Sequence, residues 1–242
     1  MKKDTVEQDG NWQFDEAVTE SFDDMLSRSI PQYDVMRAAV NDLSMSVLGR
    51  REGSSRPFII DLGTSRGRAV EEIVRRCEGA ADFLLCEISE PMLKAARELY
   101  ADRIDSGEVR VEKRDLRTEF PSGRPASLVL SVLTLQFVPI NYRQHIVQQI
   151  HDTLEPGGAF IIVEKVLGDG PVNDDFMVDL YHARKHAAGY SYDSIDRKRQ
   201  ALEGVLVPIT ARHNVDLFER AGFRFVDCFW RWMNFGAWIA LK

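Results

Sequence analysis

"FIIDLGTSRGRAVEEIV", from Phe58 to Val74, is the stretch that decides the fold. It begins as an apolar run typical of a buried strand, bends at the D-x-G-x-x-x-G pattern of Asp61, Gly63 and Gly67, and continues as a helix. Glycine at such a bend lets the backbone approach a ligand closely, and the free N–H groups of a helix start bind polar atoms. The pattern predicts a ligand site at a strand-to-helix turn, although a plain tight turn would use the same glycines.

Four further apolar segments follow, with helical patterns between them. They are "DFLLCEI", "VRVEKRDL", "ASLVLSVLTLQFV" and "GGAFIIVEK". Regular alternation of strands and helices predicts an α/β fold, with a parallel sheet covered by crossover helices. Near the end, the helix pattern "ARHNVDLFERAG" leads into two strands joined at Asn234 to Gly236, which predicts a terminal antiparallel hairpin.

The segment before the first strand has a different character. Residues 1 to about 20 are predicted to form a loose arm. The stretch "SFDDMLSRSIPQYDVMRAAVNDLSMSVL" has helical periodicity interrupted at Pro31, so two short helices are expected there.

Composition limits the possible functions. A chain of 242 residues suits one α/β domain, and its formal charge of -7 at pH 7 gives no footprint for a polyanion, so charge does not imply nucleic acid. Its three scattered cysteines, Cys77, Cys86 and Cys228, indicate neither a disulfide framework nor a zinc site, and they favour a reducing cytoplasm. No run of eighteen apolar residues and no apolar leader is found, so a soluble, unexported protein without a membrane partner is expected.

Two acidic residues extend the ligand interpretation. Glu87 stands about twenty residues after Gly67, at the end of the next predicted strand, where a carboxylate can accept hydrogen bonds from two ribose hydroxyls. Asp115 ends the following strand and could accept from an adenine amino group, with Leu116 supplying a backbone N–H. Each signal strengthens the others, whereas Asp115 alone would indicate only a turn cap.

This ordered set resembles the class I S-adenosylmethionine-dependent methyltransferases, and the resemblance covers nearly the whole chain. It implies a Rossmann-like sheet of seven strands that ends in an antiparallel hairpin, and S-adenosyl-L-methionine as the cofactor. A dinucleotide-binding fold fits less well, because the glycine pattern is not G-x-G-x-x-G and that fold lacks the terminal hairpin.

A closer resemblance is to the carboxy-S-adenosylmethionine synthases of tRNA wobble-uridine modification. The motifs that carry it are "MLSRSIPQY", "LTLQFV", "EPGGAFIIVEK", "AGYSYDSIDRKRQALEGVL" and "MNFGAWIALK". The resemblance implies a homodimer and a set of residues around the sulfonium ligand: Tyr33, Gly63 with Thr64 and Ser65, Glu87 with Ile88, Asp115 with Leu116, and Arg199. Two departures are Val132, where the family has an asparagine, and "EGVL" in place of "ENVL" at Glu203 to Leu206.

The expected organisation follows from these matches. Residues 1–55 are expected to form an N-terminal arm and helical cap, and residues 56–242 the S-adenosylmethionine-binding domain. A helical lid is expected to be inserted at about 170–208.

Sulfonium chemistry needs few catalytic groups, because the enzyme chiefly positions an acceptor, excludes water and sometimes removes a proton. Tyr33 and Arg199 are the predicted catalytic residues. The planar guanidinium of Arg199 fits a carboxylate, although "DRKR" would otherwise be a solvated helix face. Aromatic rings can stabilise the cation, and the residues considered, most of which would otherwise be ordinary core, are Tyr33, Phe137, Tyr190, Trp230 and Trp232.

The histidines have weaker signals. His182 and His186 lie one helical turn apart and could share a face toward the site, but a solvated helix flank is the favoured interpretation. No metal site is predicted, because no carboxylate or cysteine accompanies a histidine at ligand spacing.

Three reactions remain open. The first is methyl transfer to a small-molecule acceptor, which is preferred because it is the commonest use of the fold. The second is conversion of the methyl to a carboxymethyl group with prephenate, against which Val132 counts because an amide is lost without replacement. The third is attack by the ligand's own amine, which gives azetidine-2-carboxylate and methylthioadenosine. A non-enzymatic scaffold is disfavoured, because Gly63, Glu87 and Asp115 are all present.

Overall fold

The structure, a computed structural model, describes residues 2–8, 10–52, 55–121 and 123–242. Residues 1 and 9 of the predicted arm, and residues 53 and 54 beside the predicted domain boundary, lie outside the described residues. The strands are β1 (Phe58–Leu62), β2 (Asp82–Glu87), β3 (Val109–Lys113), β4 (Ala126–Val132), β5 (Leu154–Leu167), β6 (Ile209–Thr210), β7 (Phe225–Trp232) and β8 (Phe235–Leu241).

Seven of these strands form a twisted sheet in the order β3-β2-β1-β4-β5-β8-β7. The first five are parallel, whereas β8 is antiparallel to both β5 and β7. The α/β sheet of seven strands with a terminal hairpin is therefore confirmed. The short β6 was not predicted and pairs in parallel with the end of β5, through Val166 with Ile209 and Leu167 with Thr210.

Helices cover both faces of the sheet. They are α1 (Glu16–Ser29), α2 (Tyr33–Gly49), α3 (Glu71–Cys77), α4 (Glu90–Leu99), α5 (Ala101–Asp105), α6 (Ile140–Thr153), α7 (Pro171–Ala187), α8 (Tyr192–Ala201) and α9 (Ala211–Ala221). Alternate residues of each strand pack in opposite directions, so that Ile60 joins the cluster that contains α6 and α9, and Ile59 joins the cluster that contains α2 and α3. Burial on both faces explains why β1 is apolar except at Asp61.

Three sequence predictions are corrected by the structure. The arm ends before residue 20, because Asp15 caps α1 by accepting a hydrogen bond from the backbone N–H of Val18. The apolar segment that contains β4 is strand only to Val132, and Leu135–Phe137 forms a 3-10 turn. The hairpin turn lies at Met233 and Asn234, before the predicted position, and β8 already begins at Phe235.

Helix α3 also begins later than the sequence pattern indicated. Turns occupy the residues between Gly67 and Glu71, where the helix starts. Helix α9 is capped at both ends, by the side chain of Thr210 and by Gly222 in the left-handed conformation.

A buried arginine connects three segments near the carboxyl edge of the sheet. Arg143 of α6 is 2% exposed, and its guanidinium donates to the backbone carbonyls of Gln136, Val138 and Val207. The backbone N–H of Val207 in turn donates to the carbonyl of Gln136. The loop after β4 and the chain that returns from α8 are thereby fixed to α6.

Replacing Arg143 with methionine is expected to lower the free energy of unfolding by about 2–4 kcal/mol, because three buried hydrogen bonds are lost and only the carbonyl of Gln136 keeps another donor, the N–H of Val207. Urea denaturation measures this quantity. The exposed Arg220 of α9 serves as the control, and Arg220→Met should change stability by no more than about 0.5 kcal/mol. Equal effects of the two substitutions would show that the three bonds contribute little.

Candidate functional site

The turn after β1 is shaped by two close approaches. Gly63 has φ +72°, and a Cβ atom there would lie 2.2 Å from Cγ2 of Thr134. Gly67 has φ +80°, and its Cβ would lie 2.6 Å from a ring carbon of Tyr100. Because no other residue fits either place without a shift, both glycines are required for the turn to lie against its neighbours. The sequence analysis had expected these glycines to let the backbone approach a ligand, whereas the close atoms in the structure belong to Thr134 and Tyr100.

Hydrogen bonds fasten this turn to the end of β2. The backbone N–H groups of Gly63 and Thr64 both donate to the carbonyl of Cys86, at 2.8 and 2.9 Å. The carboxylate of Glu87 accepts from the backbone N–H of Ser65 at 2.9 Å. Its other oxygen accepts from the N–H groups of Ile88 and Ser89. Glu87 is thus held by three backbone donors beside the glycine turn, and its lone pairs leave room for hydroxyl donors of a ligand.

Asp115 follows β3 and lies in the loop next along the sheet edge. Its carboxylate accepts from the backbone N–H of Arg117 at 3.0 Å and pairs with the same residue's guanidinium. The hydrogen bonds from Arg117, opposed by some burial, keep the pKa of Asp115 below its usual value. Asp115 therefore presents an ionised acceptor at this edge.

All ten of the predicted site residues line a single cavity of about 660 Å³ at the carboxyl edge of the sheet. This volume lies within the range of natural small-molecule sites, and parallel sheets of this class bind ligands at that edge. The lining includes Tyr33, Gly63, Thr64, Ser65, Glu87, Ile88, Asp115, Leu116, Val132 and Arg199. Their individual binding roles remain predictions.

Tyr33 and Arg199 line the cavity from helices rather than from the sheet edge. Tyr33 belongs to α2, and Arg199 belongs to the cover, the segment 168–208 that contains α7 and α8. Tyr33 is the first residue of α2, and burial raises the pKa of its hydroxyl. Arg199 lies on α8, where its half-exposed guanidinium pairs with Asp196 on the same helix at 2.9 Å. An anionic ligand at Arg199 would therefore have to share or displace Asp196.

A cationic wall of the cavity contains three lysines that the sequence analysis did not single out. It consists of Lys165, Lys185, Lys198 and His182. Burial together with the charges of Lys198 and Lys165 lowers the pKa of Lys185 to about 7. Burial likewise lowers the pKa values of Lys165, Lys198 and His182. The position of Lys165 at the carboxyl end of the predicted strand "FIIVEK" was the sequence signal available for it.

The other aromatic and histidine candidates divide between the cavity and the core. Phe137 lines the cavity and packs edge-on against Phe14, with ring centroids 5.1 Å apart. His182 also lines it, whereas His186 stacks on Tyr192 away from it. Tyr190 and Trp230 are buried outside the lining, in agreement with their interpretation as core, and Trp232 lies outside the lining and is half-buried.

Asp61 lies under the glycine turn and is 1% exposed. Neither of its carboxylate oxygens has a good hydrogen-bond partner among the described residues. Burial raises its pKa to about 7.

Two negative findings concern the described ranges only. Within them, no three or more His, Cys, Asp or Glu side chains are grouped so that they could hold a metal ion. None of the helices found there is both long and apolar enough to cross a lipid bilayer.

Known proteins resemble this chain at two levels. A family described as "Methyltransferase domain" matches residues 59–158. The carboxy-S-adenosyl-L-methionine synthase of Wolinella succinogenes is 38% identical over 243 residues, which cover 98% of this chain and 96% of that one. A synthase of the same name from Methylococcus capsulatus is 35% identical over 231 residues, covering 95% and 93%.

Solved structures resemble the fold at low sequence identity. An O-methyltransferase family protein from Burkholderia thailandensis has a TM-score of 0.64 and 16% identity. Human N-acetylserotonin methyltransferase in complex with SAM has a TM-score of 0.52 and 19% identity. The match to the first covers 94% of this chain and 59% of that protein, and the match to the second covers 93% and 58%. These likenesses support the fold alone.

Replacing Glu87 with alanine is expected to weaken the binding of S-adenosylhomocysteine by about 1.5–3 kcal/mol, because two ribose hydroxyls lose a charged acceptor. Calorimetric titration measures the change. Glu90→Ala, which removes an exposed carboxylate that pairs with Lys113 on the same edge, is the matched control. Wild-type affinity in Glu87→Ala would contradict the assignment of the ribose to this residue.

Proposed function

Because the chain belongs to the carboxy-S-adenosyl-L-methionine synthase family of the class I methyltransferase superfamily, we propose that it converts the methyl group of S-adenosyl-L-methionine into a carboxymethyl group. The relatives favour this reaction over methyl transfer to an outside acceptor, which the sequence analysis had put first. The proposed carboxyl donor is prephenate, as the resemblance implied.

The cationic wall is the observation that carries the proposal. Lys165 and Lys185 of this wall line the same cavity as the glycine turn, and their charges, together with that of Arg199, add to burial in lowering the pKa of His182. A carboxylate donor requires such a wall, whereas a neutral methyl acceptor gains nothing from it and must be bound beside desolvated cations.

The atoms balance as follows. The methyl carbon loses a proton and gains a carboxyl group, and prephenate loses that carboxyl group together with its ring hydroxyl. The hydroxyl leaves with the methyl proton as water, and the ring becomes the aromatic ring of phenylpyruvate. The protein's task in this scheme is to hold the donor's anionic groups against the sulfonium and to exclude water, which is consistent with a buried cavity.

The cavity residues divide into two proposed roles. Gly63, Glu87 and Asp115 hold the nucleoside and amino acid portions of S-adenosyl-L-methionine at the β1, β2 and β3 loops. Tyr33 of α2 and Arg199 of α8 face the reacting sulfonium end of the ligand. The segment 170–208, which contains α7 and α8, is proposed to act as the lid.

A second reaction is favoured by one substitution. Val132 lies at the end of β4 and lines the cavity, where the resembling family has an asparagine. The apolar side chain removes a polar contact near the sulfonium. This loss favours intramolecular attack by the ligand's amine, with release of methylthioadenosine and azetidine-2-carboxylate, because that reaction needs no second substrate.

Product identification by mass distinguishes the reactions. With S-adenosyl-L-methionine and prephenate we expect carboxymethylated sulfonium and phenylpyruvate, and no product from S-adenosyl-L-methionine alone. If the guanidinium of Arg199 binds a reacting carboxylate, Arg199→Ala should raise the activation free energy by about 1–3 kcal/mol and lower turnover accordingly. Methylthioadenosine formed without prephenate would establish cyclisation, and S-adenosylhomocysteine formed only with cell extract would establish methyl transfer.

We also propose that the chain forms a homodimer in a reducing cytoplasm. Val172, Phe176 and Leu180 are exposed at intervals of four residues along one face of α7, which makes a continuous apolar stripe that a second copy could cover. Cys77, Cys86 and Cys228 are free thiols, as a reducing compartment requires.

Sedimentation at tens of micromolar tests the dimer. The wild type should sediment as a dimer, and Phe176→Glu should shift it toward monomer because a charge is placed on the apolar stripe. Glu substituted for the exposed Phe225 of β7 gives a control at a different apolar position. A wild-type monomer would contradict the proposal.

A further inference from the structure

Two lysines of the cationic wall lie over one aromatic ring. Lys165 follows the buried part of β5, and its Nζ is 4.9 Å from the ring centroid of Tyr181. Lys185 belongs to α7, and its Nζ is 5.7 Å from the same centroid and 5.0 Å from that of Tyr190. The two ammonium groups therefore converge from different elements on one region of the cavity.

Neither lysine forms an ion pair with an acid in the part of the chain that the structure describes. Lys185 is 5% exposed, and among the described residues its Nζ forms no hydrogen bond or ion pair. Lys165 likewise has no ion pair within the described ranges, whereas the neighbouring Lys198 pairs with Asp4 at 3.1 Å. A buried ammonium without a counter-ion is unfavourable, and cation–π contacts offset only part of the cost.

The two acids that act electrostatically on these lysines, Asp4 and Asp174, each already accept hydrogen bonds. Asp4 accepts a hydrogen bond from the hydroxyl of Tyr190 at 2.6 Å in addition to the ion pair with Lys198. Asp174, the acid that acts on Lys165, accepts from the backbone N–H of Gly168. An anion that enters the cavity is therefore the group that can match Lys165 and Lys185.

The position of the pair separates it from the nucleoside contacts. Glu87 and Asp115 lie beyond β1, at the ends of β2 and β3, whereas Lys165 lies on β5 on the other side of β4. Val132 of β4 pairs in register with Val163, two residues before Lys165. The lysine pair is thus beyond the reacting end of the proposed ligand, on the side away from adenine and ribose.

We propose that Lys165 and Lys185 together form a carboxylate-binding subsite in the cavity. The carboxylate comes either from the second substrate or from the amino acid portion of the sulfonium ligand. The naming of prephenate as that substrate rests on the proposed function, but the subsite itself rests on the unpaired cations. The carboxylate accepts charge-assisted hydrogen bonds from both ammonium groups.

The test uses the full chain with Lys165→Met and Lys185→Met, which keep most of each side chain and remove its charge. Lys94→Met, on the exposed face of α4 and outside the cavity, is the matched control. Because loss of an unpaired buried charge is neutral or stabilising, the variants should keep the wild-type melting temperature or exceed it. The binding probes are S-adenosylhomocysteine, methylthioadenosine, which lacks the carboxylate, and prephenate added after S-adenosylhomocysteine.

We expect each cavity variant to weaken prephenate binding at least tenfold in calorimetric titration and to leave both nucleosides within twofold of wild type. This result assigns the subsite to the second substrate. A tenfold loss for S-adenosylhomocysteine with unchanged methylthioadenosine assigns it instead to the sulfonium ligand's own carboxylate. Wild-type affinity of both variants for all probes would overturn the subsite. A loss of methylthioadenosine binding as large as the loss for the carboxylate ligands would also overturn it, because it would indicate a general disturbance of the cavity.

Proton uptake gives an independent readout. The titratable and charged groups that act on Lys185 or are acted on by it include Lys165 of β5, Lys198 of α8, Arg28 of α1, Asp4 of the arm and His182 of α7 itself. A bound carboxylate restores the charged form of Lys185, so wild-type binding at pH 8 should take up protons when titrated in buffers of different ionisation enthalpy. Lys185→Met should lose this uptake and Lys94→Met should keep it. If no carboxymethylated product forms while these binding results hold, the proposed reaction fails and the subsite stands.

Discussion

The contact between Gly63 and Thr134 is the constraint on which the rest of the site depends. No Cβ fits between the turn after β1 and the loop after β4, so these two segments touch directly across the edge of the sheet. Thr134 leads into the 3-10 turn whose carbonyls hold Arg143, and Arg143 also holds Val207 at the end of the cover. One close approach thereby connects the cofactor turn with the segment that closes the cavity.

The parts of the site that the sequence could predict are those fixed by local pattern. Gly63, Glu87 and Asp115 each follow an apolar run, and strand ends of a parallel sheet meet at one edge whatever the details of packing. Lys165 also follows an apolar run, but its meeting with Lys185 could not be predicted, because lysine normally faces solvent and the two ammonium groups converge on Tyr181 only in the tertiary structure. The hairpin turn was misplaced for a related reason. Gly236 is the usual turn residue, but Met233 adopts the positive φ, and a Cβ at Gly236 would meet the ring of Trp238.

Burial brings acids and bases of the site toward the same protonation range. It raises the pKa of Asp61 to about 7 and that of Glu164, which lies next to Lys165, to about 8. It lowers that of Lys185 to about 7. The charge of a bound ligand can therefore decide which of these groups are ionised, since the pKa of each lies close to neutral pH. The apolar faces of the sheet, which are buried on both sides, offset the free-energy cost of this polar lining.

The pairing of β5 with β6 has a topological meaning for the cover. Val166 and Leu167 leave the sheet beside Ile209 and Thr210, so the 41 residues between Leu167 and Ile209 depart from and return to adjacent places. The strand pair holds the two ends of this segment side by side. Changes in the length or sequence of the segment therefore contribute little to the conformational entropy that the rest of the fold loses on folding. The cover is therefore an exchangeable module, and a lineage can change what the cavity accepts by rewriting α7 and α8 while the cofactor edge remains intact.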